Sequence, residues 1–191
     1  MSILMPNQAL SIRPASAADG PFLYALYAST RAAELAAWGW DAAMQTQFLQ
    51  LQFRAQQQHY ASYPNPVHWI IEHHAPNAQA AATATDAQQL VQPIGRVLLS
   101  FCSDEIRLVD IALLPEFRSR GIGAALVGWV QAQARAEGKA VRLHVSPENR
   151  ARSLYERLGF RLVEDRQSHL FMEWLIPPTA ATERNEPAYA G

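Results

Sequence analysis

Leu113-Leu114-Pro115-Glu116-Phe117-Arg118-Ser119-Arg120-Gly121-Ile122-Gly123-Ala124 decides the reading of this 191-residue chain. The apolar run Val109 to Leu114 has the character of a buried strand, and Pro115 ends it. Two arginines and two glycines follow, and then a helix opens. Glycine lets a backbone approach a ligand closely. The first amides of a helix lack partners and carry partial positive charge. Strand, glycine turn and helix start together predict an anion cradle suited to a pyrophosphate. Arg118 and Arg120 would add charge-assisted hydrogen bonds.

Two other nucleotide loops fail on spacing. The string Gly-x-x-x-x-Gly-Lys-Ser/Thr does not occur. A dinucleotide fingerprint starting at Gly121 needs a small residue at its sixth position, and Leu126 stands there. The helix after the cradle is legible from Ile122, Leu126, Val130 and Ala134, which recur every four residues on one face. Gly138 sits where a C-terminal cap belongs. Val141, Leu143 and Val145 then alternate with Arg142 and His144, which is a strand pattern.

The stretch Val145-Ser146-Pro147-Glu148-Asn149-Arg150-Ala151-Arg152-Ser153-Leu154-Tyr155-Glu156-Arg157-Leu158-Gly159-Phe160 predicts one more helix, capped by Asn149 and closed by Gly159. With Arg118-Ser119-Arg120-Gly121-Ile122-Gly123 standing for (Gln/Arg)-x-x-Gly-x-(Gly/Ala), this pair of signatures resembles the GNAT superfamily of N-acetyltransferases. They stand in the family's order, separated by one helix and one strand. The resemblance covers Ile94 to Trp174 closely and Leu10 to Ile71 in outline.

What the resemblance implies is specific. The fold would be α/β: a mixed, mostly antiparallel central sheet that splays open, flanked by helices. Acetyl-CoA would be the co-substrate, its pantetheine arm pairing with the backbone of Ile111, Ala112 and Leu113. Its pyrophosphate would lie on the amides of Arg118, Ser119, Arg120, Gly121, Ile122, Gly123 and Ala124, with Asn149 and Ser153 on the opposite side. Tyr155 matches the family's acid, which protonates the departing thiolate. The attacking amine must be neutral and needs a base. Arg107 occupies the position best aligned with the family's glutamate and cannot serve. Strict alternation along the strand points Asp110 away from Arg107, and the base stays unassigned. The alternative to catalysis is an acyl-CoA-binding sensor or assembly module.

Composition suits one soluble globular domain, with 49% hydrophobic and 17% charged residues. A formal net charge of −1 gives no global drive toward nucleic acid or anionic membrane. No run approaches the roughly 18–20 apolar residues of a membrane span. No basic-then-apolar leader begins the chain. Cys102 is the single cysteine, so no internal disulfide forms. These features lead to a cytoplasmic expectation. His73 and His74 are adjacent, would point to opposite faces of a strand, and predict no metal site. Family members often dimerise, so a homodimer is allowed.

Elsewhere, residues 1–9 are expected to be flexible and 10–176 to form the single domain. Leu10 to Pro14 reads as a strand, and Ser16 to Asp19 as a capping box opening a helix that runs to about Ala37. Asp41 would cap a second helix, whose glutamines Gln45, Gln52 and Gln56 are expected to face solvent. Residues 74–93, rich in Ala, Gln and Thr, read as a mobile loop between two paired strands. Residues 177–191 read as a disordered tail. The acceptor amine would come from the side of Ser29 to Tyr60 and of His169. Trp38 and Trp40 are expected to pack the junction between the first two helices.

Overall fold

A computed structural model describes residues 2–5, 8–75 and 91–177. Its strands are β1 (Ser2–Met5), β2 (Gln8–Pro14), β3 (Pro66–His74), β4 (Val91–Phe101), β5 (Glu105–Leu113), β6 (Ala140–Val145), β7 (Arg161–Asp165) and β8 (Leu170–Trp174). Its helices are α1 (Gly20–Trp38), α2 (Ala42–Ala61), α3 (Ile122–Glu137) and α4 (Ala151–Arg157). The strands form one sheet in the order β1-β2-β3-β4-β5-β6-β8-β7. Every pairing is antiparallel except β5 with β6. The mixed, mostly antiparallel α/β sheet read from the sequence is therefore the fold observed.

The amino-terminal segment differs from expectation. Ser2–Met5 pairs with β2, where a loose segment was expected. The loop reading for residues 74–93 lies for the most part on 76–90, outside the described residues. At its ends, His74 and Val91 are paired across β3 and β4. Of the tail, residues 178–191 also lie outside the described residues.

Helix α3 buries the stripe its sequence announces: Ile122, Leu126, Val130 and Ala134 are all buried. They pack against Val97, Leu99, Ile106 and Leu108 from the middle of the sheet, and against Leu10, Ile12 and Ile94 toward its other end. The opposite face of β4 turns toward α2, because Arg96 donates to Gln56 and Tyr60 of that helix. Helices thus cover both faces. Asp41 caps α2 by accepting the Met44 amide at 2.8 Å. Trp38, Trp40 and Phe48 meet with ring centroids 4.8–5.4 Å apart, so the two tryptophans pack the helix junction.

Two features of β5 position everything that follows. First, the parallel pairing with β6 runs from Glu105–Ala140 to Leu108–Leu143 and stops there, although both strands continue. The closed end is pinned by charge. Buried Glu105 accepts from Arg107 and from Arg142 at 2.7 Å each, and Arg142 also donates to Glu173 at 2.7 Å. Second, Leu98 pairs with Asp110 and Leu99 with Leu108, leaving Val109 as an extra residue, a β-bulge. An extra residue bends its strand and resets alternation. Arg107, opposite Ser100, and Asp110, opposite Leu98, therefore face the same side of the sheet. The sequence expectation that they point apart fails because alternation holds only for an unbroken pleat.

Gly95 pairs with Leu113 at the cradle end of β4. A Cβ there would run into the Ala112 carbonyl oxygen and the Leu113 side chain. Gly95→Ala is expected to destabilise the fold by about 2 kcal/mol, as overpacking a filled site does. Urea unfolding followed by tryptophan fluorescence measures it, and an unchanged midpoint would contradict this packing.

Candidate functional site

The strand, the turn and the helix start follow one another as the sequence proposes. After Leu113 the chain makes a single 3-10 turn at Pro115–Phe117 and then passes through two left-handed residues, Ser119 (φ 58°) and Gly121 (φ 82°). For glycine this costs nothing steric, but for serine it costs on the order of 1 kcal/mol. Such backbone turns amide N–H groups inward into an anion-binding concavity, here directly ahead of the α3 N-terminus. Phe117 is buried beneath the turn, and the Arg120 guanidinium lies over its ring at 5.5 Å. Arg118 bends back, its Nε donating to the Leu113 carbonyl at 2.9 Å. That carbonyl was expected to serve a ligand's arm. A second lone pair leaves it able to share.

A cavity of about 1120 Å³ opens where β5 and β6 part. Ile111, Ala112 and Leu113 line it from β5, and Arg118, Ser119, Gly121, Gly123 and Ala124 from the cradle. Asn149, Ala151, Leu154 and Tyr155 close the far side. Tyr27, Thr30 and Arg31 of α1 and Gln56 of α2 form the remaining wall with Arg96 and Asp110. Of the residues expected here, three do not line the cavity with the others. Arg120 lies on Phe117, Ile122 is buried in the core, and Ser153 donates to the Arg150 carbonyl. Asn149 caps α4, its Oδ1 accepting the Ala151 amide at 2.9 Å.

Tyr155 is 9% exposed, with its ring 5.6 Å from Phe160. Burial, and then the negative charge of Asp110, push its hydroxyl up to about 12. It therefore stays protonated and able to donate throughout the neutral range.

The sequence reading missed the groups at the base of the cavity. Arg96, 3% exposed, donates through Nε to Asp110 at 2.7 Å, and through Nη2 to Gln56 at 2.9 Å and Tyr60 at 3.2 Å. Its guanidinium lies 5.0 Å from the Tyr60 ring centroid. Burial first, and then Asp110, raise the Tyr60 hydroxyl above its ordinary range. Burial first, and then the Arg96 charge, lower neighbouring His68. Gln56 therefore serves this network, and Gln52 accepts from Tyr27 at 3.3 Å. The expected solvent-facing glutamine stripe is in part an internal hydrogen-bonding face. A usable signal was present, since Arg96 is the one charge in strand β4 and Asp110 interrupts the apolar run Leu108 to Leu114, and buried charges are paired.

A mixed sheet that parts at a glycine-rich helix start, with a tyrosine opposite, defines an α/β protein with a cleft open along β5. The acetyltransferase (GNAT) family model matches residues 32–160, more than half of the chain. The chain belongs to that family. A 79-residue segment is 35% identical to the [ribosomal protein bS18]-alanine N-acetyltransferase of Haemophilus influenzae, covering 41% of this chain. The match spans 54% of that relative, about half its length. The fold also resembles the PaiA N-acetyltransferase of Thermoplasma acidophilum, solved in complex with coenzyme A, with a TM-score of 0.58 and 18% identity. That likeness covers 87% of this chain and 99% of the other. A domain from Methanocaldococcus jannaschii is similar with a TM-score of 0.60 and 19% identity, covering 89% of this chain and all of that one. Among the described residues, no helix is long and apolar enough to cross a membrane.

The Arg96–Asp110 pair yields a prediction independent of ligands. Asp110→Asn leaves a buried guanidinium without its counter-charge and is expected to cost about 3 kcal/mol. Arg96→Met combined with Asp110→Leu removes both charges and is expected to recover most of that loss. Chemical unfolding of the two variants checks the difference.

Proposed function

We propose that this chain is an N-acetyltransferase that moves the acetyl group of acetyl-CoA to a primary amine, with both substrates bound together. The observation that carries the reading is the left-handed turn at Ser119 and Gly121, which opens onto the same cavity as Tyr155. The amides from Arg118 to Ala124 would hold the pyrophosphate, supported by the Arg118 charge. The edge of β5 from Ile111 to Leu113, released from β6, would pair with the pantetheine arm. Asn149, in the loop just before α4, would flank that arm.

In the transfer the amine nitrogen forms a bond to the acyl carbon, and the carbon–sulfur bond breaks. Tyr155 gives its proton to the departing sulfur. The proton lost by the amine leaves through water in the cavity beside Asp110, whose charge also favours an approaching amine. Buried Arg96 holds the Asp110 carboxylate in place at 2.7 Å. The Haemophilus influenzae relative acts, by its name, on an alanine of ribosomal protein bS18. Peptides beginning with alanine are therefore the first acceptors to test, beside small amines.

Tyr155→Phe is expected to keep acetyl-CoA affinity and lower kcat about 10²-fold, the scale of one acid–base group. Because Tyr155 ionises only near 12, the wild-type rate should show no alkaline fall attributable to it below about pH 11. Unchanged kcat in the variant would remove Tyr155 from the mechanism. Arg118→Glu sets a negative charge against the pyrophosphate and is expected to abolish acetyl-CoA binding in calorimetry. Retained affinity would contradict the cradle. Tight acetyl-CoA binding without CoA release on any amine would instead indicate a sensor.

A further inference from the structure

A second cavity, of about 390 Å³, lies against the first and is not needed to hold acetyl-CoA. The two share a wall. Val109, the bulged residue, lines the second, and Asp110, the next residue, lines the first. Tyr60 lines the second and accepts from Arg96, which lines the first. An amine acceptor whose nitrogen reaches Asp110 would therefore place the rest of its body here.

The lining is one-sided in charge. Arg166, Ser168 and His169 come from the β7–β8 turn, His144 from β6, and His59 and Tyr60 from the end of α2. No carboxylate is among these lining residues. Three carboxylates near it are already engaged. Asp110, on the shared wall, is held by Arg96, Glu105 is held by Arg107 and Arg142, and Glu164 accepts from Arg166 Nε at 2.9 Å. Arg166 has four further N–H bonds on its terminal nitrogens. Arg107 Nη1 stands 3.4 Å from His144 Nδ1. Arginine can only donate, so Nδ1 accepts, and the neutral ring carries its proton on Nε2. His144 thus offers an N–H rather than a basic lone pair. Burial and the adjacent Arg107, His169 and Arg166 lower its proton affinity, which keeps it in that neutral, donating form.

We infer that this second cavity binds an anionic group on the acceptor, so that the preferred substrate is a primary amine carrying a carboxylate on the same molecule. The inference rests on the acetyltransferase reading above and narrows its acceptor. Free amino acids and acidic N-terminal peptides both present this chemistry. Polyamines and lysine-rich peptides are disfavoured, because they would bring positive charge against Arg166 and Arg107.

The test compares matched acceptors in a CoA-release assay with the full chain. One arm uses ω-amino carboxylates of increasing length against the corresponding alkylamines. The other uses C-terminally amidated peptides Ala-Asp-Glu, Ala-Asn-Gln and Ala-Lys-Lys. The expected result is a preference of about tenfold in kcat/KM for the acidic member of at least one arm, the scale of one charge-assisted hydrogen bond. The responding arm identifies the source. Arg166→Gln should reduce that preference to twofold or less. Arg161→Gln, which removes an exposed charge of β7 outside the cavity, should leave it intact. Equal or better turnover of neutral or basic acceptors overturns the inference, as does an equal loss in both variants. Should no amine be turned over, the transferase reading falls. The cavity is then judged by binding to the CoA-loaded protein. Shifts of the His144 and His169 ring resonances with the acidic peptide, and none with its amide counterpart, support it, and the absence of such shifts overturns it.

Discussion

The parting of β5 from β6 is the constraint on which the rest of the molecule depends. Up to Leu108 and Leu143 the two strands are joined by parallel hydrogen bonds, and the Glu105–Arg142–Glu173 network clamps that end. Beyond it, Val109 inserts one residue into the ladder with β4. The added backbone must bulge, and bulging turns β5 away from its parallel neighbour. A wedge opens in the middle of a sheet, where backbone groups are otherwise all paired. Its unpaired β5 edge is a template for an extended ligand, because backbone polar groups removed from water need partners.

The same bulge brings the acid side chain to the site. In an unbroken strand Asp110 would lie on the α3 face, among Val97, Leu99 and Val127, where a charge has no partner. Displaced by one position, it meets Arg96 on the α2 face. That pair draws Gln56 and Tyr60 into contact with the sheet and so docks the C-terminal half of α2. One inserted residue thus creates the cleft, places a carboxylate at its base and anchors the helix that separates the two cavities. The two cavities differ in kind. The first has a flexible glycine rim and a tyrosine donor. The second is lined by imidazole, guanidinium and hydroxyl donors held by rigid neighbours.

Much of the fold was legible in the chain. The apolar stripe Ile122-Leu126-Val130-Ala134, the alternation of Val141, Leu143 and Val145, and the glycines at 121 and 138 report local periods and local dihedrals. Each of these depends only on residues a few positions away. The cradle was legible for the same reason, since strand end, glycine turn and helix start are consecutive. What failed were statements about facing. The glutamines of α2 read as solvated because their low hydropathy matches a wet surface, yet Gln52 and Gln56 reach inward to Tyr27 and Arg96. The amino-terminal residues read as loose because the four residues Ser2–Met5 are too short a run to show a strand period, and their order comes from pairing with β2.

The sequence by itself determined the order of elements from β2 onward, the α3 core stripe, the glycine turn ahead of α3 and the family to which the chain belongs. All of these are written in short-range pattern. Only the tertiary structure decided that Arg96 and Asp110 meet, that Arg107 and Asp110 share a face, and that His144, His169 and Arg166 converge beside Tyr60. These juxtapositions join residues from three strands, the β7–β8 turn and a helix. The first two follow from a one-residue bulge whose consequence, a reversal of side-chain direction, no local hydropathy pattern records.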